Sequence, residues 1–269
     1  VVDKGYILNE EKLLANNNNK IWLYVEPIRN EKQIQLHKKR PQIPVFLSKQ
    51  ITNIRSIYGD KLIVLTPDNV KEYVSTFPIE MNHRSEIPLK KRVDLLYAFI
   101  LEKYGGLCLS PGTVVININD IVSQSNSKDL VLIGSSPLKI NKANKYYPSN
   151  NLIGSQRNSE IIRLYKERLI ENNFVKDSET ILSELIIEND PKEYYFLNSD
   201  YDGSYTNRNY RRSLEHYFGQ HPSEYLKETL VVSIPYYEII DHPKYSWILD
   251  LNNEQFDKVR NEITRLVSL

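Results

Sequence analysis

The chain has 269 residues, 41% hydrophobic and 26% charged, enough for one large soluble α/β domain. Its 35 basic and 34 acidic residues leave a net charge of +1, so no overall field draws it to nucleic acid or an anionic membrane, and the short basic runs at 37–40 and 89–92 read as solvated faces. A single cysteine, Cys108, excludes an internal disulfide and a cysteine-based zinc site; with no Asn-x-Ser/Thr acceptor and no run of ~20 apolar residues, the expectation is a cytoplasmic, reducing compartment and no membrane span, an anchor ahead of Val1 being left open.

In chain order, the asparagine run at 16–20 reads as a loop and "IWLYVEP" (21–27) as a first strand stopped by Pro27. Residues 48–59 carry Ile51, Ile54 and Tyr58 at helical spacing, with Ser48 as N-cap and Gly59 as stop. "KLIVLT" (61–66) is a buried strand and 67–74 opens another helix. This alternation predicts a parallel α/β arrangement. The clearest helix is 88–106, with Leu89, Val93, Leu96, Ile100 and Tyr104 on one face, Asp94 at its border and Gly105-Gly106 as its end. The strand "LCLSPGTVVI" follows, bent at Pro111-Gly112, which cannot sit in a central ladder. Further strands are expected at 129–134, 193–197 and 228–235, and helices at 159–172 and 178–189. Residues 198–213 read as a tyrosine-rich loop, and the last 17 as one helix aligning Phe256, Val259, Ile263 and Val267.

The order "IWLYVEP", "FLSKQITNIRSIYGDKLIVLTPDNVKEYV", "RVDLLYAFILEKYGG" and an apolar strand resembles the DXD-type sugar transferases of the capsular polysaccharide synthesis group, over residues 20–116 and more loosely 235–248. That resemblance implies a GT-A-like, Rossmann-like mixed sheet flanked by helices. It also implies one domain over 1–269, with a nucleotide-sugar half at 20–134 and a helical, loop-rich acceptor half with a C-terminal lid at 135–269. The implied partners are a UDP- or GDP-sugar and a glycan acceptor, and the implied cofactor is Mn²⁺ or Mg²⁺. By position in the pattern, Trp22 would stack on the base and Asp94 would bond ribose or sugar hydroxyls. "DHPKYSW" (241–247) would fold over the diphosphate through His242, Ser246 and Trp247.

Three charge-bearing positions depart from the pattern. The two metal-binding acids fall at Ser110 and Gly112, which offer a divalent ion a hydroxyl and no side chain at all. The arginine of the helix motif falls at Tyr97, with Arg92 nearby on another helix face as a substitute. Arg84, Lys90 and Lys91 are further cations that could neutralise a leaving diphosphate without a metal. Asp200 and Asp202 form a second Asp-x-Asp, read mainly as turn chemistry; with Glu238 and Asp241 they are the candidate catalytic carboxylates. Three readings stand: a glycosyltransferase with weakened or replaced metal binding, an inactive sugar- or nucleotide-binding or partner protein on the same scaffold, and an unrelated α/β nucleotidyltransferase or hydrolase.

Overall fold

A computed structural model describes residues 20–27, 43–81, 86–140, 143–205, 211–220 and 223–268. Its centre is a six-stranded sheet in the order β2-β1-β3-β6-β5-β7. The strands are β1 (Ile21–Tyr24), β2 (Leu62–Leu65), β3 (Gly106–Leu109), β5 (Leu130–Ile140), β6 (Ala143–Ser155) and β7 (Tyr194–Leu197). β1 pairs in parallel with β2 and β3, and β5 with β7, whereas β6 runs antiparallel to both β3 and β5, so the sheet is mixed. Two short strands, β4 (Thr113–Val115) and β8 (Val231–Ser233), form a separate antiparallel pair.

Alternation along the strands divides the core between the two sheet faces. Ile21 and Leu23 join Leu107, Leu109, Val131 and Ile133 in one cluster. Trp22 and Tyr24 join Cys108, Leu130, Leu132 and Ile153 in the other. Against the first face packs α1 (Val45–Tyr58) through Phe46, Leu47 and Ile54. Against the second pack α3 (Leu89–Tyr104), α5 (Glu160–Glu171) and α6 (Ser178–Glu188), while α2 (Val70–Tyr73) and α4 (Asn119–Gln124) are short connectors. α3 ends where Gly105 takes φ +66°, its N–H bonded back to the Leu101 carbonyl.

Three expectations need correction. The strand read from Leu107 to Ile116 is two strands in two sheets, because the chain reverses at Pro111-Gly112. The parallel alternation holds for β1, β2 and β3 and returns in β5 and β7, but β6, the longest described strand, follows β5 directly and runs antiparallel, and its three asparagines and Pro148 hide the alternation that would have marked it. The C-terminal helix is two, α9 (Asn253–Lys258) and α10 (Glu262–Leu266). Asn261 starts α10 with a reciprocal capping box to Thr264, which outcompetes a continuous helix through that residue. Between β8 and α9 lies α8 (Tyr236–Ile240), and before β8 lies α7 (Leu214–Phe218).

Candidate active site

Parallel strands β1 and β3 place their carboxyl ends side by side, the position where α/β sheets leave a crevice for ligands. Beside Ser110, which follows β3, the antiparallel β6 brings Asn151, whose carbonyl accepts the Ser110 N–H at 2.8 Å. A cleft of about 380 Å³ opens there. Ser110, Asn150 and Asn151 line it, with Lys90 from α3, Glu179 from α6, Tyr205 and Arg211, and Pro235 to Glu238 at the start of α8.

The stretch Ser110-Pro111-Gly112-Thr113 is a tight turn. Thr113 N–H donates to the Ser110 carbonyl at 3.1 Å, Pro111 holds the second position, and Gly112 has φ +91° at the third. These are the features of a type II turn, whose third position favours glycine. Gln50 of α1 clamps it, accepting the Gly112 N–H at 3.2 Å and donating to the Thr113 carbonyl. A Cβ built on Gly112 would lie 2.7 Å from the Ile234 carbonyl oxygen. Gly112 therefore carries no ligand group and cannot be given one cheaply, which removes it from the donor-binding set. Ser110, in contrast, faces the cleft.

Helix α3 sets Lys90, Asp94 and Tyr97 along one side at helical spacing. Lys90 reaches the cleft and pairs with Glu179 at 2.7 Å. Burial pushes the Glu179 carboxyl up, but the Lys90 ammonium and hydrogen bonds to it prevail, so its pKa is lowered and it stands ionised. Asp94 sits beneath the cleft wall, 7% exposed. Its Oδ1 accepts from the Asn150 amide and its Oδ2 from the Ser178 hydroxyl, both at 2.7 Å. Burial raises its pKa to about 6 against the opposing pull of Lys90 and these two hydrogen bonds. Both oxygens are engaged, and Asn150, not Asp94, lines the cleft.

Four other expected contacts are overturned. Trp22 is fully buried, its Nε1–H donating to the Gly105 carbonyl at 2.9 Å and its ring packed on Tyr73 and Tyr104, so no face is open to a base. Arg92 lies in the interior, its guanidinium paired with Glu26 at 3.2 Å and its Nε bonded to the Ile87 carbonyl. Tyr97, at the position of the pattern's arginine, ties two strands together: its hydroxyl donates to the Leu109 carbonyl at 2.6 Å and accepts the Tyr24 N–H at 2.9 Å. The segment His242–Trp247 does not line the cleft. His242 stacks on Tyr245, and Trp247 leans on Phe218 of α7.

Among the candidate carboxylates only Glu238 lines the cleft, paired with Arg211 at 3.2 Å. Asp200 and Asp202 border a separate hollow of about 10 Å³, room for about one water. Asp202 is buried, its Oδ1 accepting from the Ser204 N–H and hydroxyl, which is turn chemistry. Asp241 follows α8 and is exposed outside the cleft. Lys91 bonds the Phe174 carbonyl, and Arg84 lies outside the described residues. Tyr205 falls in the loop read as tyrosine-rich, but Asn150, Glu179, Arg211 and the tyrosines of α8 were missed: they come from four distant segments, and no local spacing links them. Tyr236 also buries a hydroxyl that finds no hydrogen-bond partner among the described residues.

Among the described residues no group of three His, Cys, Asp or Glu side chains could hold a metal. The donor set at Ser110 does not fit a divalent ion, which needs several hard charged oxygens. Among the described residues that line the cleft, the cations are Lys90 and Arg211.

The family described as "capsular polysaccharide synthesis protein" matches residues 40–211, well over half of the chain. The chain belongs to that family. The match contains Lys90, Asp94, Ser110, Asn150, Glu179 and Arg211, and stops before the α8 wall. Comparison with curated proteins gives no match. Among solved structures, the galactosyltransferase LgtC, crystallised with donor and acceptor sugar analogues, is similar over 93% of this chain and 95% of that one, at 12% identity and a TM-score of 0.44. No helix among the described residues is long and apolar enough to cross a membrane.

Proposed function

We propose that the cleft binds a nucleotide-sugar, UDP- or GDP-linked, and that the protein transfers its sugar to a hydroxyl of a glycan acceptor. The observation that carries this is the lining at the carboxyl ends of β1 and β3. Two cations stand among tyrosine rings, amides and hydroxyls, in a chain of a polysaccharide-synthesis family. Aromatic faces suit the apolar faces of sugars, and amides and hydroxyls suit their polar edges. Lys90 and Arg211 are already held by carboxylates and would exchange them for diphosphate oxygens. In the transfer, the bond from the anomeric carbon to the diphosphate oxygen breaks and its electron pair leaves with the diphosphate. A bond forms from that carbon to the acceptor oxygen. The acceptor's proton passes to a base, for which Glu238 is the exposed carboxylate in the cleft.

The test is a thermal-shift and calorimetric panel of UDP- and GDP-hexoses, with Mn²⁺ and with EDTA. The expected result is binding of at least one nucleotide-sugar with an affinity that EDTA leaves unchanged. Absence of binding by every member would overturn the donor-site reading. The tight turn at Ser110–Thr113 favours a second reading, in which the cleft binds without turnover. That reading predicts the same affinity but no release of nucleoside diphosphate when glycan acceptors are added.

A further inference from the structure

Asn150 stands between the cleft and the buried carboxylate of Asp94, and its amide is anchored on one side only. It lines the cleft, yet the residue is only 8% exposed. Its Nδ2 donates to Asp94 Oδ1 at 2.7 Å and to Ser178 Oγ at 3.1 Å, which uses both amide protons. Ser178 in turn donates to Asp94 Oδ2 at 2.7 Å, closing a triangle of three side chains from β6, α3 and α6. The orientation is fixed by charge. Flipped, the amide would set its carbonyl oxygen against a carboxylate oxygen at 2.7 Å and lose both donors. No hydrogen bond among the described residues engages Asn150 Oδ1.

We infer that Asn150 is a specificity-determining residue of this cleft: its Oδ1, turned away from Asp94 and Ser178, accepts a hydrogen bond from one hydroxyl of the bound nucleotide-sugar. The inference rests on the donor-site reading above and adds to it which side of the cleft reads hydroxyls. An oriented carbonyl repels phosphate oxygens and has nothing to donate to them, so the diphosphate belongs beside Lys90 and Arg211 and the hydroxyl beside Asn150. Asp94 and Ser178 are positioning residues, removing the amide's freedom to turn and present a donor instead. A hydroxyl matched to such a fixed acceptor is discriminated because its absence leaves a partly buried acceptor unpaired.

The experiment uses the UDP- or GDP-hexose that binds the parent most tightly, together with its monodeoxy analogues, each lacking one ribose or sugar hydroxyl. Affinities are measured by calorimetry on the parent and on Asn150→Ala. In the parent one analogue is expected to bind about 10-fold more weakly than the intact ligand, the size of a single well-placed hydrogen bond. In Asn150→Ala the intact ligand weakens by the same factor, and that one analogue is no longer distinguished. The other analogues keep their ranking, which a merely structural loss would not allow. Ser178→Ala, which frees one of the amide's two anchors, serves if Asn150→Ala fails to fold, and should shrink the same discrimination and no other. Full discrimination retained in the variant, or no analogue discriminated in a parent that binds the intact ligand, would refute the role of Asn150 while leaving the donor site standing. Failure of every nucleotide-sugar to bind the parent would remove both.

Discussion

Replacing Gly112 with alanine tests whether the strand end is a structural turn and not a vacated ligand position. Two costs follow from the geometry. At φ +91° an L side chain is strained by roughly 1–2 kcal/mol. The added Cβ also meets the Ile234 carbonyl oxygen at 2.7 Å, a backbone atom that cannot rotate away. Relief of that contact must move the Ile234–Tyr236 wall, which is held to the turn by the Ile234 N–H bonded to the Gly112 carbonyl at 3.0 Å; weakening it adds about 1 kcal/mol. The sum is roughly 2–4 kcal/mol, and for a chain of this size a change of 1 kcal/mol moves the melting temperature by roughly 2 °C. Differential scanning calorimetry should therefore place Gly112→Ala roughly 4–8 °C below the parent. Ser110→Ala is the control: its hydroxyl has a 3.4 Å contact with the Pro111 carbonyl and a hydrogen bond with the Tyr237 side chain, and its loss should move melting by no more than about 2 °C. A Gly112→Ala protein that melts with the parent would show that the wall yields freely, and the case against an acidic side chain at this position would fall.

Burial raises the Asp94 carboxyl from an ordinary 3.8 to about 6, so the native state binds its proton more tightly than the unfolded chain does. Its contribution to stability is full below the unfolded value and is lost as pH rises through about 6; a rise of this size corresponds to about 3 kcal/mol. In urea titrations Asp94→Asn should gain on the parent by up to that amount between pH 4 and pH 7, and a gap independent of pH would contradict the assignment. The Arg92–Glu26 pair is 3% and 8% exposed at its two side chains, so Arg92→Met alone should cost about 3–5 kcal/mol by stranding a buried carboxylate. Arg92→Met with Glu26→Gln should recover much of it; equal losses in the single and double variants would mean that packing, not charge, is what Arg92 supplies.

The reach of the sequence is clearest where period and neighbourhood coincide. Helix α3 was legible because its apolar face repeats over 16 residues and a Gly-Gly pair ends it. The bend at Pro111-Gly112 was legible because proline and glycine restrict or permit backbone angles wherever they stand, whereas the reversal into a second sheet was not. The break between α9 and α10 was not, because Asn261 is a helix start only once its cap to Thr264 forms. Trp22 shows the limit in the other direction. A tryptophan in a first strand can stack on a ligand or fill a core, and only the rings of Tyr73 and Tyr104 closing over it choose the core.

The same division separates the parts of the cleft. By itself the sequence determined the α/β class, the resemblance to sugar transferases, and the absence of a charged side chain at Ser110 and Gly112, because each is a property of residue type at a short spacing. It also put forward Ser110 and Glu238 as candidates and Lys90 among four nearby cations, and these three line the cleft. What Arg92, Asp94 and Tyr97 do was decided by the tertiary structure alone. One helix carries all three, yet one is paired in the interior, one is spent on a neighbouring amide and one staples two strands. Only the antiparallel β6, crossing beside β3, delivers Asn150 to the cleft, and only the bridge from Tyr205 to Arg211 and the wall of α8 complete it. Hydrogen bonds and ion pairs act over about 3 Å in space, while the residues that make them here lie between 28 and 89 positions apart in the chain.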